Sequence, residues 1–519
     1  MSHLSTLLPH FRPYRRAMAS GILLVVVANL FTVTGPWILR IAIDALGSPA
    51  APRGTLLGYA GLLVGTALLA GAARYGMREL LNGVSRRIEC DLRARFFGHL
   101  LCLDASFFDA QRTGDIMSRA TNDALAVRQA AGPAVMYAVN TVVISVFAVS
   151  LMIWISPPLT ALVLIPLVVL PPVVLLFARV IHRRFERIQE QFANLSTQVQ
   201  ENLTGVRLVR AYVQEEDQAR RFDAMNYEYM RRNLDLVKVE GLFHPIMALL
   251  MGVAMVVLLA VGGTQVMEGG LSLGDLVAII FYVGLLAWPM IALGWVVNLF
   301  QRGEASMGRI NEILETRPRI EPGSGLAPTT IRGVVEFRGV TFRYPGTERN
   351  VLEDVSFVVS AGETVAIVGP TGSGKSTLIS LIPRLHDPTE GQILLDDVPL
   401  PEYDPEALRR RIGAVPQDAF LFSDTIASNV ALGIVPLEDP EISEGDVDPR
   451  ILRAAEVAKL HEQVEAFPRG YHTYLGERGI NLSGGQKQRA TLARALARDP
   501  AILILDDALS AVDTHTESR

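Results

Sequence analysis

The chain has 519 residues, half of them hydrophobic and 19% charged, with a mean hydropathy of +0.30. That balance excludes an ordinary soluble protein of this length, and a net charge of −5 excludes nucleic acid as a partner, since no strongly basic domain is present to neutralise phosphates. Cys90 and Cys102 are too few for a disulfide framework and read as free thiols.

The start of the chain lacks a short apolar segment with a small-residue cleavage site, so no signal peptide is expected to be removed. Charged residues then partition the first 300 positions. Uncharged runs lie between Arg16 and Arg40, and between Arg53 and Arg74. A third, from Gln129 to Ala178, is too long for one span and is expected to break at Ser156-Pro157-Pro158. Gly241 to Met267 and Leu276 to Gln301 complete six spans, each near or above the ~20 residues that cross hydrocarbon.

Arginines set the orientation. The connection after span two carries Arg74, Arg78, Arg86, Arg87, Arg93, Arg95, Arg112, Arg119 and Arg128; that after span four carries a similar series from Arg179 to Lys238. The short loops around Ser48, Pro157 and Gly269 hold only Arg53. Both termini and the two long connections are therefore expected on the cytoplasmic side of the cell membrane. These connections read as mixed-charge helices that turn near Asp104–Asp109 with Gly114, and near Asn202–Gly205. Each turn would present a short transverse element to the chain's own soluble domain. Within the spans Asn29, Thr32, Thr34, Asn140, Thr141, Ser145 and Asn298 are the sparse polar groups. No Asp, Glu or Lys sits mid-membrane, so no proton relay or fixed charge for an ionic substrate is evident. Pro166, Pro171 and Pro172 should bend span four. Trp37, Trp154, Tyr282, Trp288 and Trp295 either face headgroups and pack, or line a cavity.

The six-span domain is taken as residues 1–302, with a linker over 303–331, in which Glu312-Ile313-Leu314 ends a helix before an irregular Pro/Gly-rich stretch, and a soluble domain over 332–519. Val335 to Tyr344 alternates as a strand, and Thr364–Val368 reads as a short, fully buried one. Behind it Gly369, Pro370, Thr371, Gly372, Ser373, Gly374, Lys375 and Ser376 fill the phosphate-loop pattern G-x-x-x-x-G-K-[ST], and Ser376-Thr377-Leu378 opens a helix. Glycines let backbone N–H groups curl around a phosphate, Lys375 would reach the β/γ-phosphates, and the Ser376 hydroxyl would sit on Mg²⁺. Farther on, Leu482, Ser483, Gly484, Gly485 and Gln486 lead into a helix bearing Arg489, Arg494 and Arg498, which reads as a second anion site. Ala501–Leu505 is a buried hydrophobic strand that ends in the carboxylate of Asp506.

These motifs together resemble an ATP-binding cassette (ABC) exporter half-transporter over essentially the whole chain. The implied fold is an α-helical membrane domain of six spans with long cytoplasmic extensions, plus an α/β phosphate-loop domain. Asp109–Arg119 and Glu201–Gly205 are similar to the family's coupling-helix regions, and Gly476–Gly479 resembles a loop that meets the partner's coupling helices. The resemblance implies that Tyr344 stacks on adenine and that Gln417 reaches Mg²⁺ and the attacking water; Asp506 is expected to hold Mg²⁺ through water. It also implies that the signature loop Leu482–Gln486 caps an ATP held by a partner, so that ATP and Mg²⁺ are bound in a dimer.

Two positions depart from the pattern. Where the family carries a Glu general base, this chain has Asp507, one methylene shorter and withdrawn by roughly 1.5 Å. Impaired hydrolysis at the chain's own site is expected, as in one subunit of heterodimeric exporters. The sequence also stops at Arg519, shortly after Asp513, with His515 too close to serve as the family's switch histidine; truncation is the expectation. The reading is ATP-driven export of hydrophobic or amphipathic compounds by a dimer with a second half-transporter in the lipid bilayer. Lipid, peptide or siderophore export, or an ATP-gated regulator, are the alternatives.

Overall fold

The computed structural model describes residues 3–46, 53–321, 323, 325–328, 330–434 and 447–507, without the side chains of Arg53 and Arg478. The Ser48 loop, Asp513, His515 and the end of the chain lie outside the described residues. Two compact units emerge: residues up to Phe97 with Met117–Glu315, and Gly98–Ile116 with the residues from Thr316 onward.

The first unit is helical. Its six long helices cover His3–Leu46, Gly54–Cys102, Thr113–Ile155, Pro157–Thr204, Glu215–Met267 and Leu273–Leu314. At 1.5 Å per residue each far exceeds the ~30 Å hydrocarbon layer. The long uncharged run breaks as its prolines dictate: Ser156 is extended and Pro157 opens the fourth helix, where its missing N–H costs nothing. Pro166, Pro171 and Pro172 lie inside that helix, which continues through all three. Met152, Leu159, Leu167, Leu258, Ile279 and Leu286 pack into the main core. Two polar side chains bridge helices: Asn29 donates to Asn140 Oδ1 at 3.0 Å, and the buried Tyr282 hydroxyl donates to the Val33 carbonyl at 2.9 Å.

The sixth helix does not end where the composition changes. Residues 303–314, counted with the linker by composition, continue it to Leu314, the helix end expected at Glu312-Ile313-Leu314. Gly303, Ser306, Met307 and Ile310 are buried on one face. Ser306 and Arg309 both donate to Asp123 at 2.9 Å, and a Cβ added at Gly303 would lie 2.3 Å from that of Ala130. The change at Gly303 therefore marks the exit from hydrocarbon, not the end of a helix.

At the opposite end of the unit, the Arg40 Nε lies 2.6 Å from Asp275, in the first turn of the sixth helix. Asp44 accepts from the Ser272 hydroxyl and the Gly274 N–H, both at 2.9 Å. The Arg40 guanidinium stands 4.6 Å from the Trp37 ring and 5.3 Å from Trp154, so these two tryptophans enclose a cation.

The second unit carries two sheets. Strands β1 (Val335–Phe342), β2 (Leu352–Val359), β3 (Glu390–Leu395) and β4 (Val398–Pro399) form an antiparallel sheet in the order β2-β1-β3-β4. Strands β5 (Ile412–Val415) and β6 (Ile502–Leu505) pair in parallel, from Ile412↔Ile502 to Val415↔Leu505. Leu378 and Leu381 of the helix Lys375–Leu381 join Phe337, Ile393, Ile412 and Ile504 in one core, which ties the phosphate-loop helix to both sheets.

Two strand expectations need correcting. Residues 364–368 form no ladder, and Val365, Ile367 and Val368 are exposed. Within β6 only Ile504 is buried, while Leu503 and Leu505 are about half exposed. An apolar run becomes a buried strand only when neighbours cover it. Among the described residues β6 is paired on one edge alone, and 364–368 on neither.

Candidate functional site

The phosphate loop takes the conformation its glycines permit. Gly372 and Gly374 have φ of +83° and +89°, in the left-handed region, and the helix begins immediately after, at Lys375. The Lys375 ammonium donates to the Gly369 carbonyl at 2.8 Å and to that of Pro370 at 2.9 Å. It therefore lies within the curve of the loop. Thr377 is buried, and its hydroxyl lies 3.1 Å from the Tyr344 hydroxyl. Tyr344, predicted to meet adenine, is thus fastened to the loop's own helix. Phe342 and His386 flank its ring at centroid distances of 4.9 and 5.6 Å.

Gln417 and Asp506 are 89 residues apart, but the parallel β5–β6 ladder delivers both to its C-terminal end. The Asp506 N–H donates to the Val415 carbonyl at 2.9 Å, two residues before Gln417. Asp507 follows on exposed backbone with φ of +49°, a left-handed conformation uncommon outside glycine and asparagine. No group of three or more His, Cys, Asp or Glu residues is placed to hold a metal among the described residues. A hydroxyl (Ser376), an amide (Gln417) and one carboxylate (Asp506) instead suit Mg²⁺, which keeps much of its coordination for water and nucleotide phosphates. The donor set fits the expected group.

The signature loop is built as a helix cap. Ser483 caps the helix Gly484–Leu496: the Gln486 N–H donates to the Ser483 hydroxyl at 3.3 Å, and the Ser483 N–H donates to Gln486 Oε1 at 2.9 Å. The arginines behind it do something other than expected. Arg494 donates to the carbonyls of Asn429 and Phe420, Arg498 to that of Gly433, and Arg489 to Gln463 Oε1. Burial holds the Arg494 and Arg498 guanidinium groups below their usual pKa. These side chains brace the helical part of the domain from inside.

The turn after the second long helix belongs to the same unit. It forms the short helix Ala105–Ala110. His386 Nε2 lies 3.6 Å from Asp109, and Asp104, Arg319, Tyr344 and His386 border one cavity of about 420 Å³. His386 thus touches both the turn and the Tyr344 ring. Nothing in the sequence singled it out, because its partners are 42 and 277 residues away. The second turn, at Gly205 in the first unit, is unlike it. Leu203, Leu208, Tyr212 and Val213 are all exposed there. The loop Gly476–Gly479 forms a short turn, Glu477–Gly479, and Arg478's side chain lies outside the description.

Residues 18–290 match the family described as ABC transporter transmembrane region, and residues 352–510 the family described as ABC transporter. The chain belongs to the ABC transporters, as an exporter-type half-transporter with six apolar helices joined to one ATPase domain. It is 37% identical to "Multidrug resistance-like ATP-binding protein MdlA" of Escherichia coli (strain K12), over 98% of this chain and 84% of the relative. It is also 37% identical to "Probable multidrug resistance ABC transporter ATP-binding/permease protein YheI" of Bacillus subtilis (strain 168), over 98% of this chain and 86% of that protein. An "ATP-dependent lipid A-core flippase" of Aromatoleum aromaticum shares 34% identity over 98% and 85% of the two chains.

Proposed function

We propose that this chain is one half of a dimeric, ATP-driven exporter of hydrophobic or amphipathic compounds, favouring a second, different half-transporter as partner. In this reading its own phosphate-loop site hydrolyses slowly, and its signature loop completes the partner's site. Both termini and the two long helical connections face the cytoplasm.

The observation that carries the reading is a pairing of unlike parts. The signature cap is complete, with both of its reciprocal hydrogen bonds. Next to Asp506, however, stands the shorter Asp507. At the chain's own site Lys375 and the loop amides would bind the β/γ-phosphates, Tyr344 the base, and Ser376, Gln417 and Asp506 the Mg²⁺, which supplies charge neutralisation on the phosphates. Asp507 would then orient the attacking water from too far back. The exposed apolar second turn supports dimerisation, since Leu203, Leu208 and Tyr212 are left for another chain to cover.

The domain division belongs to the same reading: a membrane domain, a short linker and an ATPase domain from about residue 332, with the two compact units supporting a division near Glu315. The relatives named as multidrug proteins favour hydrophobic cargo, and the flippase keeps a lipid cargo as the second reading. Uphill transport of a hydrophobic dye by the reconstituted dimer tests export; ATP binding with no dye movement would favour an ATP-gated regulator.

A further inference from the structure

A cavity of about 580 Å³ opens in the first unit, and three arginines on three helices line it: Arg78 on the second, Arg128 on the third and Arg302 on the sixth. They are 50 and 174 residues apart in the chain. All three nevertheless stand at one depth. Arg78 comes one turn after Arg74 closes an apolar run, Arg128 immediately precedes the run from Gln129, and Arg302 immediately follows the run ending at Gln301. That is the level at which hydrocarbon gives way to headgroups on the arginine-rich side.

The rest of the wall is divided by chemistry. The Tyr137 and Trp295 rings meet edge to face at 5.0 Å, with Met136 beside them. Asn82 and Asn298 add amide donors. No lining residue is acidic. Arg128 is engaged, its Nε 3.1 Å from Glu89, which also pairs with Arg93 at 2.8 Å. Among the described residues Arg78 and Arg302 form no ion pair. Arginines at helix ends commonly only snorkel toward headgroups, each on its own helix. Here they converge from three helices on one concavity with an aromatic wall, and two of them are uncompensated.

We propose that this cavity binds an anionic amphiphile. Arg78 and Arg302 would grip its oxyacid headgroup, which a guanidinium fork fits in bidentate fashion, and Tyr137, Trp295 and Met136 would cover its apolar body. The volume falls in the range of small-molecule sites. The inference rests on the export reading and deepens it by naming the charge of the cargo.

The test uses the purified dimer in phosphatidylcholine nanodiscs, with dodecyl phosphate as the probe and dodecylphosphocholine and inorganic phosphate as comparators. Dodecyl phosphate should bind about tenfold or more tightly than the zwitterion. The double variant Arg78→Gln/Arg302→Gln should remove that preference while leaving zwitterion binding within about twofold, and Arg302→Lys should restore part of it. Nucleotide photolabelling equal to the parent's shows that the variants are folded. Nanodiscs containing phosphatidic acid separate the two sources of the headgroup: competition identifies bilayer lipid, and its absence a soluble amphiphile, either one an anionic cargo. Equal binding of phosphate and phosphocholine probes, no effect of the double variant in a folded dimer, or inorganic phosphate binding as well as dodecyl phosphate would each overturn the proposal. Failure of dye transport with charge-selective binding intact would instead sink the export reading.

Discussion

Lys375 has its ammonium held by two carbonyls of the loop it serves, so its removal should leave the fold in place and take away the cation that meets phosphate. Lys375→Ala is expected to abolish ATP photolabelling of this subunit; unchanged labelling would remove the residue from the site. Arg494 gives the opposite expectation. Its guanidinium satisfies the carbonyl of Phe420 in a loop and that of Asn429 in the helix Ile426–Ala431, and Arg494→Ala leaves those carbonyls unpaired in a largely buried place. We predict a loss of about 1–3 kcal/mol in the unfolding of the ATPase domain, read by thermal denaturation. Wild-type stability with weakened ATP binding would instead place Arg494 at the nucleotide. Composition cannot tell an arginine that points into a domain from one that points at a ligand, which is why this assignment could not be made before the structure.

At the scale of elements, local patterns were legible and their neighbours were not. The phosphate loop, the signature cap and the break at Pro157 are each written within about ten residues, so spacing alone located them. The run 364–368 looked like a buried strand because its residues are apolar, but burial depends on flanking strands that no local pattern contains. Gly303 is legible only as a change of composition, because its structural meaning lies in Ala130, on another helix. Gly303→Leu is predicted to force the third and sixth helices apart, destabilising the membrane unit by about 1–3 kcal/mol or preventing its assembly. Normal yield and an unchanged melting temperature in detergent would show that the contact can relax. The turn after the second long helix supplies another expectation. Asp109→Asn should remove its electrostatic contact with His386 while leaving nucleotide binding intact, and reduce the stimulation of ATPase by transported dye. Undiminished stimulation would confine that contact to packing.

For the whole molecule, the orientation we propose from the arginine distribution puts positions 48 and 270 on the outer side of the membrane. Cysteines placed at those two positions should react with an impermeant maleimide from outside intact cells, and reaction only from the cytoplasmic side would reverse the topology. The central claim concerns two unlike ATP sites, one built on this chain's phosphate loop and one completed by its signature loop. It is tested most directly by site-resolved ATPase measurement in the purified dimer, comparing Asp507→Glu, Ser483→Ala and Lys375→Ala with a homodimer of this chain as control. We predict that Asp507→Glu raises turnover at this chain's site, toward the ~10²- to 10⁴-fold that a well-placed general base contributes, and leaves the partner's site unchanged. Ser483→Ala should depress most of the dimer's hydrolysis, and Lys375→Ala much less of it. If the homodimer hydrolyses ATP at the rate of a consensus exporter, and Ser483→Ala costs no more than Lys375→Ala, then Asp507 is a working base and the account of two unlike sites is wrong.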